Sequence, residues 1–429
     1  MSTLGWIAVA IFVTAYVLIA TEKINRVAVA VGGAALMLAI GATDAEHAFF
    51  SEDAGIDWNV IFLLMGMMMI VAVLRRTGLF EFLAIWSAKR ARGRPFPIMV
   101  IFIVVTGVLS AALDNVTTVL LVAPVTLLVC ERLGVPPVPF LLAEVFASNI
   151  GGTATLIGDP PNIIIAGRSG LTFNDFLSVL APFVVVVLVV LVGLCRIMFR
   201  KAFRYDHERV QRIMALNERD AIRDPRLVVL SLSVLALVLA AFGLHTVLDL
   251  EPSVVALLGG LLLLALSRID AGEIAREVEW PTLIFFAGLF VMVGALVTTG
   301  VIGSLAHAAT EATAGKLWPA TMLLLWASAA LSAIVDNIPY VATMSPIVAD
   351  LVDANGGLGH AQVLWWALAI GADLGGNATA VGASANVVVL GLAERAGHRI
   401  TFWEFTRWGL IVTVVSVALA VPYLYLRFF

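Results

Sequence analysis

Long apolar runs, interrupted by polar residues at only a few places, make up most of this chain. About 20 consecutive apolar residues span a bilayer as an α-helix. This pattern predicts an all-α polytopic membrane protein. The predicted spans lie near Leu4–Ala20, Val27–Ile40, Trp58–Leu74, Leu141–Ala166 (interrupted), Phe176–Leu194, Leu227–Leu244, Val254–Leu266, Trp280–Val297, Gln362–Leu392 (interrupted) and Trp408–Leu426.

Two further apolar stretches, Phe96–Glu131 and Leu317–Leu351, are each long enough to enter a membrane and return. Near the centre of each stands an aspartate followed by an asparagine, at Asp114 and Asp336. A polar pair with an ionisable member in the middle of such a run indicates a turn, because an ionisable group is costly inside lipid. We therefore predict two re-entrant helical hairpins whose tips carry these aspartates.

Two of the predicted spans are interrupted by polar, glycine-rich segments. Ser148–Asn162 reads SNIGGTATLIGDPPN, and Ala372–Asn386 reads ADLGGNATAVGASAN. Glycine is a poor helix former, and proline lacks the backbone donor that a helix interior needs. A membrane tolerates such a broken helix only where protein buries it or a watery cavity solvates it. Both segments are therefore predicted to line a cavity near the middle of the membrane.

The two halves of the chain repeat each other. The motif Ser-x-x-x-Asp-Asn that ends at Asn115 recurs 222 positions later and ends at Asn337, and Asn162 recurs 224 positions later as Asn386. Each half has five net crossings, and an odd number inverts the second copy in the membrane. Inverted repeats with broken helices place a substrate site at the repeat interface. The predicted units are the first inverted repeat at 1–200, a cytoplasmic connector at 201–226 and the second inverted repeat at 227–429.

Composition and charge agree with this interpretation. A mean hydropathy of +1.03 with 13% charged residues excludes a soluble domain. Under the predicted topology, all but Arg168, Lys316 and Arg427 of the 26 basic residues fall on one side. The positive-inside rule makes that side cytoplasmic. We expect a multi-pass protein of the cell's inner (plasma) membrane with both termini outside the cytoplasm.

The hairpin aspartates are the first candidates for chemistry. A carboxylate at mid-membrane costs several kcal/mol unless it is paired, solvated or protonated. Asp114 and Asp336 are therefore predicted to couple transport to protons. The alternative is that each aspartate only caps the helix that follows it, since aspartate accepts hydrogen bonds from free N–H groups at helix starts.

Amide, hydroxyl and backbone groups complete the predicted site. Asparagines can also serve turn formation, helical threonines often bond to their own backbone, and glycines can serve packing. Asp159 and Asp373 in the broken segments, together with Glu144, are candidates for proton or cation handling. For each of them the alternative is a structural pair with a hydrogen-bond donor. No metal-ligand spacing links the histidines. The predicted substrate- or ion-binding residues are Asp114, Asn115, Thr117, Thr118, Asn149, Gly151, Gly152, Thr153, Thr155, Asp159, Asn162, Asp336, Asn337, Asp373, Gly375, Gly376, Asn377, Thr379, Ser384 and Asn386.

Two motifs carry a resemblance to a known family. Leu113–Thr126 reads LDNVTTVLLVAPVT and Asn149–Asn162 reads NIGGTATLIGDPPN. With them the chain resembles the ion transporter superfamily, in its ArsB/NhaD branch of arsenite permeases, sodium/proton antiporters and P protein-like, citrate transporter-like members. Related dicarboxylate/sodium symporters carry Ser-Asn-Thr at the hairpin tips, where this chain has Asp-Asn-Val and Asp-Asn-Ile. The resemblance implies a homodimer with a scaffold part and a moving transport part that work by an elevator-like motion.

These observations favour a proton-coupled secondary transporter of a small inorganic ion or metalloid, with arsenite or antimonite efflux as the preferred substrate assignment. A sodium/proton antiporter is the nearest alternative. A dicarboxylate or other anion carrier is disfavoured because the site segments contain no Lys or Arg.

Other classes of function fit less well. An intramembrane hydrolase would need two acids aimed at one water and no inverted repeat, so we do not expect an enzyme, and a passive channel would need no proton gradient. The chain has no G-x-x-x-x-G-K-S/T loop, so ion gradients or a separate ATPase subunit must supply the energy. We expect no cofactor beyond H⁺ or Na⁺ as coupling ion, a lipid bilayer as surroundings and no nucleic-acid partner.

Overall fold

The computed structural model describes residues 2–20, 24–51, 54–203, 218–312 and 316–429, and helices dominate all of these ranges. Two short 3₁₀ turns, at Arg200–Phe203 and Glu218–Ala221, lie between the halves. The helices of the first half are α1 (Thr3–Ala20), α2 (Arg26–Ala39), α3 (Ala45–Phe50), α4 (Trp58–Arg76), α5 (Leu79–Arg90), α6 (Pro95–Ala112), α7 (Asn115–Leu133), α8 (Val138–Gly152), α9 (Pro160–Ser169) and α10 (Phe173–Met198).

The second half follows the same order, with one extra short helix in each of two loops. Its helices are α11 (Pro225–Gly243), α12 (His245–Leu248), α13 (Pro252–Ser267), α14 (Ala271–Glu277), α15 (Trp280–Thr298), α16 (Val301–Ala312), α17 (Leu317–Ser332), α18 (Asn337–Ala354), α19 (Leu358–Ala361), α20 (Val363–Gly375), α21 (Ser384–Arg395) and α22 (Phe402–Phe428).

The predicted elements are confirmed, with small shifts at their ends. The first hairpin consists of α6 and α7 and the second of α17 and α18. Each interrupted span is two half-helices, α8 with α9 and α20 with α21, separated at the glycine-rich segments. Sequence analysis did not separate α5 and α16, which precede the hairpins at matching places in the two halves.

The packing of the halves is reciprocal. Helix α4 packs closely against α13, and its repeat mate α15 packs against α2, the repeat mate of α13. In the same way α9 packs against α18 of the second hairpin, and α21 packs against α7 of the first. Exchanged contacts of this kind are what two inverted copies produce when they interlock about a pseudo-two-fold axis. The fold is therefore an inverted repeat whose halves share one interior.

Length and composition identify this as a membrane protein. In the described ranges, seven helices of at least 18 residues are long and apolar enough to cross a bilayer. Both arms of the first hairpin, α6 and α7, meet that criterion. Whether α6 and α7 form a re-entrant hairpin or cross the membrane twice, the chain returns to the side from which it entered. The number of net crossings in the first half is therefore the same in either case.

The connector between the halves falls partly outside the described residues, since 204–217 are not among them. Its C-terminal part is attached to α5: the Lys89 ammonium lies 2.5 Å from the Glu218 carboxylate, and Arg223 lies 3.3 Å from Glu81. The ammonium lowers the pKa of the Glu218 carboxyl. The division at 201–226 and its cytoplasmic placement stay predictions.

Candidate ion-binding site

The two hairpin aspartates are helix caps in this structure. The Asp114 carboxylate accepts hydrogen bonds from the backbone N–H (2.8 Å) and the hydroxyl of Thr117. The Asp336 carboxylate accepts from the backbone N–H of Ile338 at 3.1 Å. Both aspartates thus satisfy free donors at the first turn of a helix. The capping interpretation holds for both, and their proton-coupling role stays a prediction.

The asparagines that follow these aspartates meet at one buried carboxylate. The Asn115 amide donates to Asp159 at 2.9 Å. From the other hairpin, the Asn337 amide donates to the two oxygens of Asp159 at 3.3 and 3.2 Å. Asp159 is fully buried. The tips of both hairpins therefore share one chamber, and Asp159 joins them.

Asn149 connects the same chamber to the second broken segment. Its side-chain oxygen accepts from the Asn115 amide at 3.2 Å. Its own amide donates to the side-chain oxygens of Asn377 at 2.9 Å and Asn386 at 3.0 Å. Because Asn149 belongs to the first half and its two acceptors to the second, the chamber lies at the repeat interface, as expected.

The pseudo-two-fold relation places an acid where Asn149 has an amide. Asp373 is the match of Asn149, 224 positions on. Asp373 lies beside Thr153 and Asn162, which match the two partners of Asn149 in the other half. Asn149 forms hydrogen bonds with its partners, whereas both carboxylate oxygens of the fully buried Asp373 have no hydrogen-bonding partner. One half therefore contributes a satisfied amide and the other an unsatisfied carboxylate.

The chamber has a surplus of acceptors. Among the described residues, buried side-chain oxygens without a partner include those of Asp373, Asn162 and Asn337, whereas the Asn377 amide nitrogen is a donor without one. Asp159 and Asp373 are close enough to interact electrostatically. Buried acceptors without donors are rare in native proteins and call for an explanation such as a bound ion or proton.

Several predicted binding residues instead hold the broken segments in shape. The Asn162 amide donates to the carbonyls of Gly152 (3.4 Å) and Thr155 (3.0 Å). The Asn386 amide makes the matching pair of bonds in the second half, to the carbonyls of Gly376 (2.7 Å) and Thr379 (2.8 Å). These amides occupy the backbone carbonyls that a helix would otherwise pair. Those carbonyls are therefore already hydrogen-bonded in this state.

The threonine hydroxyls and glycines of these segments also have structural partners. The Thr155 hydroxyl donates to the carbonyl of Ala111 at 2.6 Å, and Thr379 does the same to Ala333 at 2.5 Å. At Gly151 an added Cβ would lie 2.3 Å from the Gly107 carbonyl oxygen, so only glycine allows α8 to approach α6 this closely. An added Cβ at Gly375 would be similarly close to the backbone of α17. Gly152 and Gly376 each lie against the backbone at the other end of the break in their own segment.

The three remaining predicted residues lie apart from the central chamber. Thr117 caps with Asp114, and Thr118 is buried with an unpartnered hydroxyl. Ser384 begins α21 and donates to Asp336 at 2.5 Å, so it belongs to the second hairpin tip. Glu144 is buried within the first half, where it accepts from the Thr126 hydroxyl.

Arg26 was not among the predicted site residues, yet it reaches the second hairpin tip. Its guanidinium donates to the Ser384 hydroxyl at 2.9 Å and lies 3.9 Å from the Asp336 carboxylate. Arg26 and Ser384 line a cavity of about 420 Å³ that also contains Val116 of the first hairpin and Glu279. The site segments themselves contain no Lys or Arg, and Arg26 reaches Ser384 and Asp336 from outside those segments. No local signal marks Arg26, because it comes from the start of α2, 358 positions from Ser384.

Comparison with known proteins decides the family. A model of the citrate transporter family (CitMHS) matches residues 16–371. This chain belongs to that family. Its membership agrees with the resemblance to the ion transporter superfamily, which is thereby confirmed. The chain is 57% identical over 423 residues to an uncharacterized transporter of Mycobacterium tuberculosis, covering 99% of this chain and 98% of the relative.

Further relatives and one solved structure are also similar to this chain. A 46 kDa membrane protein of Mycobacterium leprae is 55% identical over 422 residues, with 98% of both chains covered. The human P protein is 34% identical over 501 residues, covering 97% of this chain and 59% of the P protein. The YdaH transporter of Alcanivorax borkumensis has a similar structure, with a TM-score of 0.56 at 17% identity over 85% of this chain and 84% of that one. The family and these relatives make the protein a transporter.

A single substitution separates the two roles of Asp114. Asparagine caps a helix about as well as aspartate but cannot release a proton. If Asp114 couples transport to protons, Asp114→Asn abolishes pH-driven flux at unchanged thermal stability. Asp114→Ala additionally lowers stability by about 1 kcal/mol because the cap is lost. Full pH-driven flux through Asp114→Asn would leave the cap as its whole role.

Proposed function

We propose that this protein is a secondary active transporter in which Asp159 and Asp373 bind the coupling cation, a proton. The observation that carries the proposal is a pair of fully buried carboxylates in a chamber shared by both hairpin tips. Among the described residues, no Lys, Arg or His side chain forms an ion pair with either one.

The electrostatics of the chamber support this assignment. Two adjacent carboxylates in a low-dielectric site disfavour the doubly ionised form, so binding of a proton or a monovalent cation lowers the free energy. No donor meets hydrogen-bond geometry at Asp373, although the side chains of Thr153 and Asn162 adjoin it, whereas two amides donate to Asp159 and stabilise its charge. A difference of this kind between neighbouring acids lets one remain ionised while the other exchanges its proton.

Arsenite or antimonite efflux is the substrate assignment that we carry forward within this proposal. Arsenous acid is a neutral hydroxylated molecule near physiological pH, and a chamber rich in amides can exchange hydrogen bonds with it. Thiol capture is not part of the proposal, since Cys130 and Cys195 are buried in α7 and α10. A sodium/proton antiporter would use the same acids, with Na⁺ as the second ligand.

A carboxylate anion is the second candidate substrate, and Arg26 is the observation that favours it. The guanidinium lies on the wall of the 420 Å³ cavity next to the Asp336 tip, where an anion can reach it. Arginine is well suited to bind a carboxylate through two parallel hydrogen bonds. The family to which the chain belongs is also named for citrate.

The decisive experiment measures flux in proteoliposomes under an imposed pH gradient, with arsenite, Na⁺, succinate and citrate offered one at a time. We expect arsenite movement that follows the pH gradient and collapses when a protonophore dissipates it. Proton movement triggered by Na⁺ alone would replace the arsenite assignment with antiport. Flux of any substrate that ignores the proton gradient would overturn the proposed coupling.

The working arrangement is also proposed from the resemblance. We expect a homodimer in the plasma membrane that moves its hairpins and broken helices against a scaffold in an elevator-like motion. Both termini are expected outside the cytoplasm, which one-sided labelling of a tag at either end measures.

A further inference from the structure

Two cavities occupy repeat-equivalent places on opposite sides of the central chamber. The first is the 420 Å³ cavity at Arg26, which is bounded by the starts of α2 and α15 and by α21. The second, of about 350 Å³, is bounded by the starts of α13 and α4 and by α9, the repeat mates of those three elements. Inversion of the repeat places the two on opposite faces of the molecule.

The two cavities differ in how far they expose the broken helices. Val387 of α21 lines the first cavity, and its repeat mate Ile163 of α9 lines the second. Val387 is 38% exposed, whereas Ile163 is 4% exposed. Val116 on the first hairpin tip is likewise more exposed than its mate Ile338 on the second. The half-helix α21 is thus accessible at the Arg26 cavity, whereas α9 is covered at the equivalent place on the other face.

Arg26 joins the two parts of the molecule that must separate if this state is to change. It begins α2, which packs on α15, whereas its partners Asp336 and Ser384 begin the second hairpin's return helix and α21. Ser384 bridges the pair, since it accepts from Arg26 at 2.9 Å and donates to Asp336 at 2.5 Å. The Arg26 guanidinium also lies 5.5 Å from the centre of the Phe285 ring of α15, which fixes its direction.

We propose that Arg26 is a positioning residue that holds the second hairpin tip and α21 against α2, and thereby stabilises the state open on its own side. The pair is partly shielded, with exposed side-chain fractions of 43% for Arg26 and 17% for Asp336. At the first position of α13, the repeat mate of α2, Pro252 stands in place of Arg26, and it cannot form this ion pair. The contact of Arg26 with Ser384 and Asp336, which we call the latch, therefore favours one of the two states. This inference rests on the proposed function only in assuming that the protein alternates between two states.

Thiol labelling of matched positions tests the latch without a substrate. Val387→Cys and Ile163→Cys report the open and closed faces, and a membrane-permeant maleimide removes any dependence on orientation. The native cysteines are buried, and the parent protein measures their background. We expect Arg26→Gln to raise the labelling rate at position 163 by roughly threefold or more. This is the change in population that the loss of a partly exposed ion pair produces. The ratio of labelling at 387 to labelling at 163 falls accordingly.

A double-mutant comparison shows whether Arg26 acts through Asp336. If it does, Arg26→Gln adds nothing to the labelling change already caused by Asp336→Asn. Arg26→Lys, which keeps the charge, is expected to restore most of the wild-type ratio. Arg399→Gln removes an exposed arginine near Glu394 and serves as the matched control with no effect.

Unchanged labelling at both positions in Arg26→Gln would overturn the latch, and so would strictly additive effects with Asp336→Asn. Failure of the proposed function is a separate result. It would appear as absent proton-coupled flux in proteoliposomes while the labelling ratio still responds to Arg26.

Discussion

Asp159→Asn is expected to abolish proton-driven flux while the protein still folds. Asp159 accepts hydrogen bonds from the tips of both hairpins, and so it joins the two tips within the chamber. An amide keeps one acceptor oxygen for these contacts but carries no negative charge, so the chamber loses the charge that draws the coupling proton to the pair of acids. Placing an ionised acid instead of its neutral form at mid-membrane costs a free energy of about 3 kcal/mol. A change of that size in the coupling step predicts a loss of coupled flux of about a hundredfold.

The measurement is initial arsenite flux in proteoliposomes at a fixed pH gradient, with protein orientation and amount matched. Asp44→Asn is the control, because Asp44 is an exposed acid that caps α3 and asparagine caps equally well. Wild-type flux through Asp159→Asn would remove this acid from the coupling mechanism. Loss of flux together with loss of the folded protein would be resolved by thermal unfolding in detergent, where the variant is expected to match wild type within about 1 kcal/mol.

Asp373→Asn is expected to stabilise the protein and to uncouple it. Asp373 is fully buried with both oxygens unpartnered, whereas its repeat mate Asn149 occupies the equivalent place with all of its side-chain groups engaged. Replacing an unsatisfied buried acid with the amide that the other half already uses removes a cost of roughly 1 kcal/mol or more. Gain of stability with loss of activity is the usual result when a strained functional group is neutralised.

Thermal unfolding and pH-driven flux on the same preparation check this prediction. The reciprocal change, Asn149→Asp, is the matched control: it places a further acid in the chamber and is expected to lower stability because the two hydrogen bonds that the Asn149 amide donates are lost. A less stable Asp373→Asn protein with normal coupling would show that the carboxylate serves packing alone.

The spans, the hairpins and the broken helices could be predicted because their signals are local. Apolar length predicts a crossing, and a run of glycines and prolines predicts where a helix is interrupted, as between Gly152, where α8 ends, and Pro160, where α9 begins. The roles of single acids were harder to predict. Asp114 and Asp336 stood out in the sequence because they sit in long apolar runs, yet both cap helices, and Asp159 proves to be the acid that joins the tips.

By itself the sequence determined the helical membrane fold, the inverted repeat and the set of polar segments that face inward, because the spans and segments follow from local composition and the repeat follows from motifs that recur at a constant offset. Only the tertiary structure decided which side chains meet. Asn337 reaches Asp159 across 178 positions and Arg26 reaches Ser384 across 358. Such contacts arise from how the two copies interlock, and the periodicity of one segment carries no record of the partner that packing brings to it.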